Sequence, residues 1–190
     1  MVNIMGWLIR SASGLALLLP IAASAESQGA NVPESLRATV ERLAAIEDIK
    51  LARIRFCRAI DNRDWAALNA VLTDDVSMRL SSKIDSDKAQ TLADMQGREN
   101  VVKFTQNLLG EKMRTIHLVM MPDIAFDGPT HAHAKWWIDG YGDLSKADAA
   151  LRERLKGKTG VVFEELEEDY VKIGGKWLIQ KIDTVGVATY

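Results

Sequence analysis

A single cysteine, no excess of basic charge and no apolar stretch long enough to cross a bilayer bound what this 190-residue chain can be. With Cys57 alone, no intramolecular disulfide can form, even in an oxidising compartment. The residue stands beside Phe56 inside a helical pattern, where a thiol reads as a small buried hydrophobe. Lys and Arg number 24 against 26 Asp and Glu and are scattered among the carboxylates, so no basic stripe is available to meet a phosphate backbone. Nucleic acid is therefore not an expected partner. The chain also lacks a phosphate-cradling Gly-rich loop, a Gly-x-Ser-x-Gly elbow and a Cys–His pairing at recognisable spacing. What remains, 47% apolar and 26% charged residues, is the composition of one globular domain able to bury a core.

Residues 1–25 differ from the rest. Arg10 is their only charge, and it precedes the apolar run Leu15 to Ala22, which ends in Ala23-Ser24-Ala25. That run is shorter than the roughly 20 residues a bilayer requires, and the small residues at its end suit a signal peptidase. We expect cleavage after Ala25, a periplasmic or secreted location, and no membrane association afterwards. Residues 26–45 read as a polar segment with a lead-in helix, and 46–190 as the domain proper.

Pro33 opens a helical stretch in which apolar residues recur at Leu36, Val40, Leu43 and Ala44, then at Ile46, Ile49, Ile54 and Ile60. Two helices, or one with a bend near Ala45, are equally compatible with that spacing. Asp61-Asn62-Arg63-Asp64 breaks it and can cap a short helix over Trp65–Leu72. Val76, Met78 and Leu80 alternate as in a half-buried strand. Residues 81–96 are polar and read as a loop. A helix follows from Gly97 to Gly110, with Val101, Val102, Phe104, Leu108 and Leu109 as its apolar face. Strand-like runs then cover Arg114–Phe126, Thr130–Ile138, Val161–Ile173 and Lys176–Val187, the last two joined by a Gly174-Gly175 turn. Leu144–Lys156 has helical propensity. Helices first and a sheet afterwards make an α+β order, and a sheet curved around helices leaves a cavity.

Several segments in this order resemble a known family. Ala45 to Ile49, Phe56 to Trp65 and Leu72 to Val76 resemble the opening helices of SnoaL-like domains. Gly97-Arg98-Glu99-Asn100 resembles the start of that family's next helix. Thr115-Ile116-His117, with Pro122, Ile124, Asp127 and Gly128, resembles its histidine-bearing strand and turn, and Tyr170 to Ile179 its closing hairpin. The resemblance implies an NTF2-like cone-shaped barrel, a curved antiparallel sheet packed on N-terminal helices, often as a homodimer or homotrimer. It implies an acid and a histidine at Asp61 and His117, and enzymes such as scytalone-dehydratase-like and bile-acid-dehydratase-like lyases, or isomerases, that work without metal or cofactor. Many other members are binding or assembly modules. Dehydratase-like members often carry a tyrosine five residues before the aspartate. That position is Phe56 here, so either another proton donor has taken the role, with Tyr141 and Tyr170 as candidates, or the dehydratase chemistry is absent.

The residues themselves are consistent with that chemistry. His117 lies mid-strand, with Val119 and Met121 on its own face by the period-two rule, and an imidazole there could take and return a proton. Asp61 could hold its tautomer; alternatively Asp61 caps the next helix and His117 is a hydrogen-bonded core residue. Met78 and one of the adjacent pair Trp136 and Trp137 would supply apolar cavity wall, with Trp137 taken as the cavity residue. Lys135 could orient an anionic or phenolic substrate. His131 and His133 share one side of a strand, but nothing nearby completes a zinc set, so no metal is expected. Among Glu164, Glu165, Glu167, Glu168 and Asp169, most read as a charged edge, but at least one carboxylate must face the interior or an interface, and the pattern does not choose which. The expectation is a cofactor-independent lyase, eliminating water or formaldehyde, or an isomerase, acting on a hydrophobic ring-containing molecule. Catalysis would rest with His117 and Asp61, and substrate contacts with Phe56, Met78, Val119, Met121, Lys135, Trp137 and Tyr170. The alternative is a non-catalytic ligand-binding or assembly module.

Overall fold

The computed structural model describes residues 33–146, 149–154 and 160–189. The leader, its cleavage point and part of the 144–156 stretch lie outside the described residues.

With neither proline nor glycine between Glu34 and Asn62, nothing interrupts the first helix, α1, which runs unbroken over Glu34–Asn62. The boundary drawn at residue 45 falls inside it. The buried face begins there, with Ala45, Ile49, Ala52, Arg53, Phe56, Cys57, Ala59 and Ile60, while Leu36, Val40 and Leu43 stay exposed. Burial pushes the Cys57 thiol up to about 11, so it stays protonated as a core residue. Arg63 ends the helix in the left-handed region at φ 60°. Asp64 then caps α2 (Trp65–Ala70), its side chain accepting the Ala67 N–H at 3.0 Å. The third helix, α3, spans Arg98–Leu109. Leu144–Lys146 forms a single 3-10 turn, and α4 covers Ala149–Arg154. No helix among the described residues is long and apolar enough to cross a membrane.

Seven strands form one sheet. They are β1 (Leu72–Ser82), β2 (Gln90–Gln96), β3 (Thr115–Val119), β4 (Asp123–Asp127), β5 (His131–Gly142), β6 (Val161–Ile173) and β7 (Lys176–Thr189). Their order is β2-β1-β7-β6-β5-β3, with β4 also on β5. The sheet curves around the helices, as expected of an NTF2-like α+β fold, but it is mixed and open, not wholly antiparallel and closed: β1 runs parallel to β7.

Two readings of the chain are corrected. Residues 90–96, read as loop, form the edge strand β2, and only Ala93 and Met95 of it are even partly buried, so it carries almost no period-two signal. The run Arg114–Phe126 is two strands on one edge of β5, parted at Met120-Met121-Pro122, where proline has no N–H for a ladder. Gly174 and Gly175 turn the closing hairpin at φ 57° and 81°. Extra residues in β7 at Gln180 and Val187 shift its register against β6 and bend it.

Between α1 and the sheet lies a core of Leu68, Leu72, Val76, Trp136, Ile138, Leu166, Ile179 and Ile182. It also encloses charge. The Arg53 guanidinium meets Glu168 Oε1 at 2.7 Å, and the Tyr170 hydroxyl donates to the other carboxylate oxygen. The guanidinium stacks over the Phe56 ring, 4.5 Å from its centroid. Burial alone lowers the Arg53 pKa, but Glu168 and smaller neighbouring contributions outweigh it and keep the group charged.

Removing one partner strands the other charge in the core, so E168A should lower the unfolding free energy by about 3–5 kcal/mol. The double substitution R53M/E168L should recover most of that loss. Urea unfolding followed by circular dichroism checks both, and a loss in E168A no larger than at an exposed glutamate would contradict the pairing.

Candidate active site

Because side chains alternate along β3, Thr115, His117 and Val119 face the helices while Ile116 and Leu118 face out. Asp61, in the last turn of α1, lies opposite. Its Oδ1 accepts the Thr115 hydroxyl at 2.8 Å and contacts His117 Nδ1 at 2.6 Å, and its Oδ2 accepts the His117 backbone N–H at 3.1 Å. Both side chains are 19% exposed. Arg63 holds the approach to β3 in place, donating to the Gly110 carbonyl at 3.3 Å, to the Met113 carbonyl and to Thr115 Oγ1 at 3.3 Å. Burial works against the Asp61 charge, but the His117 and Thr115 hydrogen bonds and the imidazole charge hold its carboxyl below the usual aspartate range. A carboxylate on Nδ1 selects the tautomer with its proton there, which leaves the Nε2 lone pair free.

The ring lies over Gly140. A Cβ at that residue would sit 3.6 Å from His117 Cδ2 and 3.7 Å from Nε2. Gly142 and Gly186 likewise add no side chain to the sheet, and beside these glycines opens a cavity of about 510 Å³. Leu80, Leu92, Leu108, Leu144 and Val162 supply much of its apolar wall. Such a volume suits a small ring-containing molecule.

Of the nine residues expected at the site, Asp61 and His117 are brought together, and only His117 lines the cavity. The others lie elsewhere. Phe56 and Tyr170 are buried in the core, the first under Arg53 and the second bonded to Glu168. Met78 and Val119 pack against that core. Met121 is 77% exposed because β3 ends at Val119 and its alternation does not continue. Trp136 takes the inner face of β5, so Lys135 and Trp137 fall on the outer one. There Lys135 pairs with Glu167 at 2.8 Å. Tyr141 borders the cavity and donates its hydroxyl to Asp139 at 2.6 Å. Among the described residues no three His, Cys, Asp or Glu side chains gather as a metal set. His131 bonds Thr130, and His133 bonds Asp169.

Glu164 enters the cavity wall, and sequence reasoning had not chosen it from its acidic run. The signal was available in its parity. It is two residues from Leu166 and four from Glu168, so it shares their inward face.

Residues 41–183 match the model of the family described as a SnoaL-like domain. This chain belongs to the SnoaL-like domain family. No curated protein matches it in sequence. Among solved structures, the SnoaL-like chain is similar to a protein provisionally assigned as a scytalone dehydratase from Novosphingobium aromaticivorans, at 15% identity and a TM-score of 0.62, over 80% of this chain and 90% of that one. The hexachlorocyclohexane dehydrochlorinase LinA-type3 from Novosphingobium barchaimii is similar at 12% identity and TM-score 0.62, over 80% and 92%. An NTF2-like protein of unknown function from Pseudomonas putida follows at 14% and 0.55, over 75% and 90%. At these identities the likeness establishes a shared NTF2-like fold.

The Asp61 contacts have a pH signature. Its folded pKa lies below the unfolded value, so its contribution to stability is complete above about pH 4 and fades as pH falls through the folded pKa. D61N should therefore be less stable than wild type at neutral pH, with the gap closing on acidification. Urea midpoints across pH measure this; a gap independent of pH would contradict it.

Proposed function

We propose that this SnoaL-like domain is a cofactor-independent lyase or isomerase for an apolar, ring-containing small molecule, with His117 as the proton-transferring base. The observation carrying this reading is the 2.6 Å contact between Asp61 and His117 Nδ1, in a ring that lines the cavity and lays its Nε2 side over Gly140 of the same wall. The free Nε2 lone pair can take a proton from a carbon held in the cavity, and the Asp61 carboxylate offsets the positive charge that the imidazole then acquires. Asp61 is thus a positioning residue. The largely apolar walls favour a substrate with little charge of its own. Elimination chemistry in a structural neighbour, the dehydrochlorinase, is compatible with such a cavity. We also propose export through residues 1–25 and assembly as a dimer or trimer.

Incubation with aromatic and cyclic alcohols and ketones, read by mass spectrometry, tests the activity. H117A should retain its fold and ligand binding but lose about 10²–10⁴-fold in turnover. Unchanged turnover would remove His117 from the mechanism, and binding without turnover in wild type would favour a ligand carrier. Native mass spectrometry of protein from a secretion-competent host should find chains beginning at Glu26 and masses of two or three copies. An intact leader would refute the export proposal, and a monomer the assembly.

A further inference from the structure

Two glutamates of β6 face inward, and their surroundings differ. Glu168 is matched by Arg53 and Tyr170. Glu164, one pleat pair away, has no hydrogen-bond or ion-pair partner among the described residues, and it lines the same cavity as His117. Its neighbours across the sheet are Ile138 on β5 and Gly186 on β7, an apolar side chain and none at all. Gly140, over which the imidazole lies, pairs with Val162, two residues before Glu164 on the same face. The carboxyl and the ring therefore border one largely apolar space, with Ile138 and Gly140 of β5 between their strands. An unmatched carboxyl in such a place is less costly as the acid than as the anion. Burial pushes its pKa up, and the charges of His117 and Arg53 only partly oppose that rise.

Ser82 and Ser86 at the cavity accept the Ile84 and Lys88 N–H groups, and a serine hydroxyl is a far weaker acid than a carboxyl. Several other hydroxyl protons around the cavity are already committed. Tyr141 donates to Asp139, Thr115 to Asp61 and Thr189 to the Val161 carbonyl. Phe56 has no proton to offer, and Tyr170 is buried against Glu168.

We propose that Glu164 is the proton donor of this site, giving its carboxyl proton to an oxygen leaving group while His117 takes a proton from the adjacent carbon. The inference rests on the reading of His117 as a base and adds its acid. The C–H electron pair becomes the new C=C bond, and the C–O bond breaks with its pair on oxygen. That oxygen takes the Glu164 proton and departs as water or an alcohol. His117 is left as imidazolium and Glu164 as carboxylate, and transfer of the proton from Nε2 to the carboxylate through solvent restores both. Chloride or a nitrophenoxide leaves without such help, whereas hydroxide does not. The arrangement therefore favours substrates that expel an aliphatic oxygen, such as β-hydroxy ketones.

Two measurements on the full chain test this. In protein labelled with ¹³C at the glutamate carboxyls, the resonance missing from E164Q should titrate above those of the exposed glutamates; titration together with them overturns the proposal. Turnover is then compared on 4-hydroxy-4-phenylbutan-2-one, which must lose water, and 5-nitrobenzisoxazole, which opens to a nitrophenoxide after proton removal alone. E164Q should lose about a hundredfold more on the hydroxy ketone than on the benzisoxazole, and E164D should recover part of the difference. Equal losses on the two probes overturn the role of Glu164 while leaving His117 as base. A wild-type protein inert toward both overturns the lyase reading and this one together.

Discussion

At Asp61 a carboxylate from the end of a 29-residue helix accepts from the hydroxyl of Thr115 and the backbone of His117 while meeting the His117 ring. Those three contacts join helix to sheet and set the imidazole's tautomer at the same time. They depend on a chain reversal two residues later, where Arg63 adopts a left-handed conformation and its guanidinium grips the segment leading into β3. The hydrogen bonds that orient the imidazole are thus also what hold the strand in place. Substitutions here should be expected to mix structural and functional effects, which is why tautomer, stability and turnover have to be read separately.

A second theme is how the interior treats charge. Arg53 and Glu168 occupy the centre of the core, each compensating the other, with the Tyr170 hydroxyl on the carboxylate and the Phe56 ring against the guanidinium. Such a pair does little for net stability compared with an apolar substitute, yet leaving either partner alone is severe. On the same strand Glu164 has no hydrogen-bond or ion-pair partner among the described residues, and it faces a largely apolar space with Ile138 and Gly186 as its neighbours across the sheet. One residue type, at one parity of one strand, therefore takes two different roles because of what the helix and adjacent strands bring against it. The glycines matter for the same reason. A side chain at 140 would meet the His117 ring, and one at 186 would meet Ile84 and Val162 in the cavity wall.

Much of the architecture was legible from local patterns. The cap at Asp64, the glycine hairpin at 174–175, the helix stopped by Gly110 and the alternation of β6 and β7 follow from short-range chemistry. The pairing of Asp61 with His117 was read from family resemblance, and their separation in sequence gave no geometric clue to it. Residues 90–96 were missed because an edge strand needs no apolar alternation to be held by its one neighbour. The cavity wall was misread for a different reason. Met121 and Trp137 were assigned by extending strand parity past a break or by choosing the wrong member of an adjacent pair, and parity says nothing about where a strand ends.

By itself the sequence determined most of the helices and strands, apart from the edge strand β2 and the break between β3 and β4, that the chain belongs with SnoaL-like domains, and which titratable residues were available for chemistry. Those properties depend on neighbours a few residues apart. Tertiary structure alone decided that Glu164 faces a cavity without a partner among the described residues while Glu168 is paired with Arg53, that Tyr141 has already committed its proton, and that Phe56 is core and not cavity wall. Each of those outcomes turns on contacts between residues far apart in the chain, and the space bordered by the end of α3, residues 84–92 and the glycines of the sheet exists only once all are in place.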